Sequence, residues 1–231
     1  MRAKAEFREM LEILLHCYPA PDWTTDYKPF EVLIAVILSQ NTNDRNVGIA
    51  LRLLRSEMVV TPKNVAKANI RVLEKCITPA GLYRIKARRI KNVARRLLKK
   101  YDDRLEKILA KPQEKARLEL MRFKGIGDKT ADVVLTFLGG VDTVPVDTHI
   151  SRVSRRLEIV EGSAGYAKIK EALEGLIPVG LRRKAHLSMI QFGRLTCHAK
   201  APECPVCPLR EYCNWWRDKD LPSWKKLNVG L

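Results

Sequence analysis

Leu120-Met121-Arg122-Phe123-Lys124-Gly125-Ile126-Gly127-Asp128-Lys129-Thr130-Ala131-Asp132-Val133-Val134-Leu135 is the stretch that decides the fold. A helix ends near Phe123, Gly125 and Gly127 let the backbone turn tightly, and a new helix begins around Asp128. Backbone amides at such a turn, and at the start of the helix after it, point outward and make a site for an anionic oxygen such as a phosphate. An ordinary turn between two packed helices carries the same Gly-x-Gly pattern, so the chemistry has to come from neighbouring residues. Lys129 stands on the first turn of the second helix. An amine is a nucleophile only when unprotonated, and a desolvated place at the positive end of a helix lowers its pKa in that direction. Solvated or phosphate-contacting lysines are far commoner.

Outward from this hairpin the chain reads as helices throughout. Apolar residues recur at helical spacing through Phe7, Met10, Leu11, Leu14 and Leu15, over residues 82–98 and over residues 169–177. Pro and Gly punctuation falls at residues 19–29, 61–62, 79–81, 111–112, 139–140, 162–165 and 178–180, leaving intervals of helix length. The expectation is an all-α protein of roughly ten helices. No internal repeat suggests a solenoid. Residues 84–100 carry nine basic side chains (Arg84, Lys86, Arg88, Arg89, Lys91, Arg95, Arg96, Lys99 and Lys100) and no acidic one. Such a helix presents a cationic face, either solvated or in contact with phosphate.

Composition agrees with an anionic partner. The 231 residues hold 43 Lys plus Arg against 26 Asp plus Glu, a formal charge of +17, which favours a polyanion by steering and counterion release. Ribosome association, a membrane surface or a charge-rich thermophilic surface would fit the charge equally. The longest purely apolar run, residues 32–38, is far short of the roughly 20 residues of a membrane span, and the N-terminal stretch is amphipathic without a signal peptide's apolar centre. A soluble, cytoplasmic protein is expected. Cys17 and Cys76 read as reduced, packed thiols, while Cys197, Cys204, Cys207 and Cys213 crowd together with six, two and five residues between them. Four thiolates indicate tetrahedral zinc or an iron-sulfur cluster, and spacing alone slightly favours zinc.

Val144-Pro145-Val146-Asp147-Thr148-His149-Ile150-Ser151-Arg152-Val153 is the second informative stretch. Asp147 suits a helix N-cap ahead of the apolar face Ile150, Val153 and Leu157, and His149 reads as structural. Chain length permits Asp147 to return toward Lys129. A helix to about residue 138 advances roughly 15 Å, and the next eight or nine residues can span about 26 Å.

The segment from Gly125 to Ala131 resembles the helix-hairpin-helix of endonuclease III and its glycosylase relatives, and Asp147-Thr148-His149-Ile150 resembles that family's second signature. The likeness runs from Phe30 through Gly81-Leu82-Tyr83 to Cys213. It implies a DNA glycosylase and abasic-site lyase of base excision repair. Lys129 would attack the sugar C1′, with Asp147 as its active-site carboxylate. It also implies a six-helix barrel over about residues 28–141, with the hairpin at about 116–138. A second domain, built from residues 1–27 and 142–231, would hold a 4Fe-4S cluster on the four cysteines. Duplex DNA with a damaged base or an abasic site would bind a monomeric enzyme across the groove between them, close to the nucleoid. Gly125, Gly127, Asp44 and Lys200 would touch DNA, and Leu82 would wedge into the duplex as the damaged nucleotide is flipped out.

Two departures bear on specificity. Asn41, within Gln40-Asn41-Thr42, stands where endonuclease III has a gap-filling glutamine, and Gln40 is a candidate to share that work. Thr78-Pro79-Ala80 alters the loop into Leu82. Removal of an oxidised pyrimidine is the expected reaction. A uracil or thymine mismatch glycosylase is the alternative enzyme, although relatives without lyase chemistry carry Ser or Tyr at the place of Lys129. A non-catalytic DNA binder is the alternative from another class. Trp215, Trp216 and Trp224 are read as packing residues.

Overall fold

A computed structural model describes residues 4–220. These form thirteen α-helices and three short 3-10 turns, with no strand among the described residues. Trp23–Val141 is one compact unit, and the described residues before and after it form the other. Each unit has its own apolar core.

In chain order the helices are α1 (Lys4–Cys17), α2 (Pro29–Leu38), α3 (Asp44–Glu57), α4 (Pro62–Lys67), α5 (Ile70–Ile77), α6 (Tyr83–Tyr101), α7 (Glu106–Leu109), α8 (Gln113–Met121), α9 (Asp128–Leu138), α10 (Thr148–Arg156), α11 (Tyr166–Leu176), α12 (Arg182–Leu195) and α13 (Asn214–Asp220). The excess over ten consists of short pieces such as α4 and α7, six and four residues long, which are too brief to show a helical period in sequence. One 3-10 turn, Thr78–Ala80, joins α5 to α6.

α2 is the centre of the Trp23–Val141 unit. Its residues Phe30 through Leu38 are all buried, so an apolar run too short for a membrane is instead wrapped by protein on every side. Among the described residues, no helix is long and apolar enough to cross a membrane. Glu31 is the polar exception on α2. Arg55 of α3 grips it with two bonds of 2.7 and 2.8 Å, and the Lys28 amide donates a third at 2.8 Å. The Arg55 bond outweighs burial and holds the Glu31 carboxyl below its usual range.

In the other unit α1, α10, α11 and α12 enclose Phe7, Met10, Leu14, Ile150, Val153, Leu173, Met189 and Phe192. Tyr18, just past α1, packs edge-on against Phe192 at 5.1 Å and hydrogen bonds Thr196 at 2.7 Å. Cys76 is buried as expected, and burial raises its thiol pKa. Cys17 is exposed, because it falls on the solvent side of the last turn of α1.

Candidate functional site

The hairpin is built from side chains beneath it. Phe123 and Ile126 are buried under the turn, and the Ile126 amide closes it on the Phe123 carbonyl at 3.0 Å. Gly125 has φ +92°, and an added Cβ would lie 2.6 Å from Arg89 Cδ, so glycine is required by conformation and by space. Gly127 differs. It is extended, with φ −102°, and its Cβ would meet nothing within 4 Å, so nothing in the chain itself demands glycine there. Gly127 is also the N-cap of α9, and no side chain caps that helix. The first α9 amides, on which half-buried Lys129 sits, lack the competing side-chain oxygen of an ordinary N-cap.

The angle between α8 and α9 is set by a clamp that sequence reading missed. Arg117 on α8 donates from Nε to Asp132 at 3.0 Å and from Nη2 to Asp128, engaging both carboxylates of α9. Asp132 is 1% exposed. A carboxylate in the middle of an apolar helix was the available signal, since such a group needs a cationic partner.

Four basic residues of α6, Lys86, Arg89, Lys91 and Arg96, are turned inward, which corrects the expected cationic face, and Lys91 Nζ donates to the Ala68 carbonyl. Lys86 is 1% exposed, with Nζ donating to the carbonyls of Leu38 at 2.8 Å and Ala80 at 2.7 Å. Arg89 donates to Gln40 Oε1 at 2.9 Å. Arg96 reaches the Arg122 carbonyl at 3.2 Å and stacks on Phe123. Burial lowers the Lys86 pKa, with Arg89 adding to the effect. Lys86 shares the apolar stripe of Ile90, Val93 and Leu97 at helical spacing, and that phase was readable in sequence. Arg84, Arg88, Arg95, Lys99 and Lys100 remain as the exposed cationic set.

Gln40 is likewise engaged at both ends of its amide. Beyond accepting from Arg89, its Nε2 donates to the Gly125 carbonyl at 3.0 Å. The loop after α2 is thus tied to the hairpin. Asn41 and Leu82 are exposed, and both adopt left-handed backbone, with φ 57° and φ 47°. Asparagine tolerates that conformation and leucine does not, so Leu82, 55% exposed, is both strained and unsheltered. Asp44 is exposed on the first turn of α3.

Asp147 belongs to the other unit and is the N-cap of α10, its Oδ1 accepting from the Ile150 amide at 2.8 Å. Buried His186 of α12 hydrogen bonds the Pro145 carbonyl at 2.8 Å and steadies the approach to that cap. His149 is held in packing, since a Cβ on Gly193 would sit 2.8 Å from its Cβ and Arg152 lies 3.1 Å from its Nδ1.

The far end of α10 organises the cysteines. Arg152 donates to the Gly193 and Cys197 carbonyls at 2.8 and 2.9 Å. Arg156 donates to Cys197 Sγ at 3.3 Å, to the His198 carbonyl at 2.7 Å and to the Ala199 carbonyl at 3.1 Å, and lies 4.2 Å over Trp215. Cys197, Cys204, Cys207 and Cys213 line one cavity with Arg156, Phe192, Thr196, Arg210, Trp215 and Trp216. Trp215 and Trp216 therefore cover the cysteines, Lys200 is exposed on the loop beside them, and Trp224 lies outside the described residues. Burial, with the other three sulfurs adding, pushes the Cys207 thiol up to about 11. Among the described residues no three His, Cys, Asp or Glu side chains are drawn closely enough together to grip a single ion. An all-sulfur set around a cavity suits a soft centre, whose binding would release the thiol protons.

Residues 34–179 match the family of HhH-GPD superfamily base excision DNA repair proteins. The chain belongs to that superfamily and, within it, to the endonuclease III family, the bifunctional glycosylase/lyases of base excision repair. It is 35% identical to endonuclease III of Thermotoga maritima over 90% of this chain and 92% of that one. A trapped endonuclease III–DNA covalent intermediate superposes with a TM-score of 0.84 at 34% identity, covering 95% of this chain and 99% of the other. A thermostable thymine-DNA glycosylase shares the fold, with a TM-score of 0.77 at 21% identity over 93% and 98% of the two chains.

Proposed function

We propose that this enzyme removes oxidised pyrimidines from duplex DNA through a Schiff base on Lys129. The observation that carries the reading is the place of Lys129 on the first turn of α9, beside an uncapped helix start and the open face of Gly127. A phosphate oxygen can approach those amides, which would register the strand against the lysine. The unprotonated amine attacks C1′, and the glycosidic bond breaks with its electron pair leaving on the base. Asp147 takes the proton that the amine gives up and stabilises the cationic sugar. Ring opening yields the imine. Loss of a C2′ proton then expels the 3′ phosphate by β-elimination, and water releases the enzyme.

Cys197, Cys204, Cys207 and Cys213 would hold a 4Fe-4S cluster, which supplies a structural centre and takes no part in these steps. The family favours it over zinc. The exposed cations of α6, Asp44, Gly125, Gly127 and Lys200 are proposed DNA contacts, and the enzyme is proposed to act as a monomer on DNA in the cytoplasm. Gln40 is better suited to fixing the hairpin than to filling a gap, because both ends of its amide are engaged.

Borohydride should trap the protein covalently on duplex DNA carrying an abasic site or an oxidised pyrimidine. Lys129→Ala should lower trapping and strand cleavage by at least about a thousandfold while DNA binding persists. Normal trapping by that variant would place the nucleophile elsewhere. Single-turnover excision across a panel of lesions and mismatches separates oxidised pyrimidines from uracil or thymine opposite guanine.

A further inference from the structure

Two corners of the Trp23–Val141 unit have left-handed backbone at a residue other than glycine and an exposed side chain suited to meeting a base pair: Asn41 after α2 and Leu82 before α6. Strain of this kind persists only where the surroundings over-determine it. The same buried ammonium enters both corners. Leu38, whose carbonyl accepts from Lys86 Nζ at 2.8 Å, is the last residue of α2, and Asn41 follows it by three positions. Ala80, whose carbonyl accepts from the same atom at 2.7 Å, ends the 3-10 turn and precedes Gly81, φ 66°, and Leu82. Helix-terminal carbonyls lack partners within their own helix, and a cation at that end also meets the negative pole of the α2 dipole. The Lys86 amide closes the arrangement on the Leu82 carbonyl at 3.0 Å.

We propose that Lys86 is a positioning residue which, by bridging the Leu38 and Ala80 carbonyls, sets the Asn41 and Leu82 corners as one rigid pair and thereby controls opening of the duplex around the damaged nucleotide. The assignment rests on the glycosylase reading above and on Leu82 as the wedge. Lys86 touches neither DNA nor the reacting atoms. Its removal should therefore slow the step that needs a wedge and spare the step that does not.

The test uses the full chain as purified, with three readouts. These are the fluorescence rise of 2-aminopurine beside an oxidised pyrimidine in duplex DNA, single-turnover base removal from that duplex, and β-elimination at an abasic site in a single strand, where nothing has to be opened. Lys86→Met leaves two buried carbonyls unpaired and should slow the first two about tenfold while the third stays within about twofold. Lys86→Gln, which retains a donor, should recover part of the loss. Lys86→Met combined with Leu82→Ala should be no slower than the slower single variant, because both act through one wedge. Equal loss in all three readouts, or a fully additive double variant, overturns the proposal. If Lys86→Met does not fold, Lys86→Gln carries the same comparison, and failure of both to fold assigns Lys86 to stability alone and overturns it. Leu82→Ala without effect on opening would break the wedge reading itself, an outcome distinct from a slow Leu82→Ala beside an unaffected Lys86→Met.

Discussion

Between α8 and α9 the chain turns over two buried side chains, Phe123 and Ile126, with Arg117 bridging the helices and Gln40 bound to the turn. Between α12 and α13 it runs from Cys197 to Cys213 through two 3-10 turns that bury no residue, with Leu209 the one buried side chain among residues 197–213. The hairpin is held from within the protein by packing and by a paired carboxylate. The cysteine loop is held by guanidinium bonds to its carbonyls, by Tyr212 donating to Glu9 at 3.0 Å, and by whatever the four sulfurs share. A turn that carries chemistry on backbone amides needs a fixed geometry before substrate arrives, whereas a ligand-centred loop can take its geometry from the ligand.

The largest effect should come from the metal side. Cys204→Ser should cost several kcal/mol of local stability, with hydrogen-exchange protection lost in residues 197–213 and the last turn of α10 but retained across α8 and α9. Wild-type preparations should be brown and contain about four irons. A colourless, fully active protein with one tightly held zinc would overturn the cluster assignment, and uniform loss of protection would erase the contrast between the regions.

On the hairpin side, Arg117→Met removes the cationic partner of the buried Asp132 carboxylate and should cost about 3 kcal/mol in urea unfolding. Adding Asp132→Asn should recover part of that cost. A variant as stable as wild type would mean the clamp is dispensable. Arg156→Ala is expected to be milder, about 1 to 2 kcal/mol, because its bonds go to partly exposed carbonyls, to the Cys197 sulfur and to one ring. Its signature is a changed Trp215 fluorescence and faster metal loss on oxidation, with the hairpin's exchange rates unmoved.

The smallest effect concerns Asn41. Asn41→Gly removes the side chain while keeping the left-handed corner, and should slow single-turnover excision only several-fold, with weak dependence on which base lies opposite the lesion. A preference for guanine above about a hundredfold, near 2.7 kcal/mol, that collapses in Asn41→Gly would move the enzyme toward mismatch repair. Asn41→Ala should be worse than Asn41→Gly, because alanine must adopt φ 57°.

Local pattern was enough for the longer helices, the hairpin, the N-cap at Asp147 and the grouping of four cysteines, since each is written in spacing over a few residues. Periodicity is a property of one segment, and so are capping and turn chemistry. What the tertiary structure alone decided is where long side chains spend their donors. Lys86 and Arg89 read as two members of a cationic row, yet one binds a carbonyl 48 residues away and the other a glutamine 49 away. Gln40 read as a candidate for DNA and turned out bound to Gly125. A basic side chain's charge is known from its letter and its face from the helical phase, but which carbonyl or amide it meets depends on which distant backbone ends beside it. That is settled only when the helices pack.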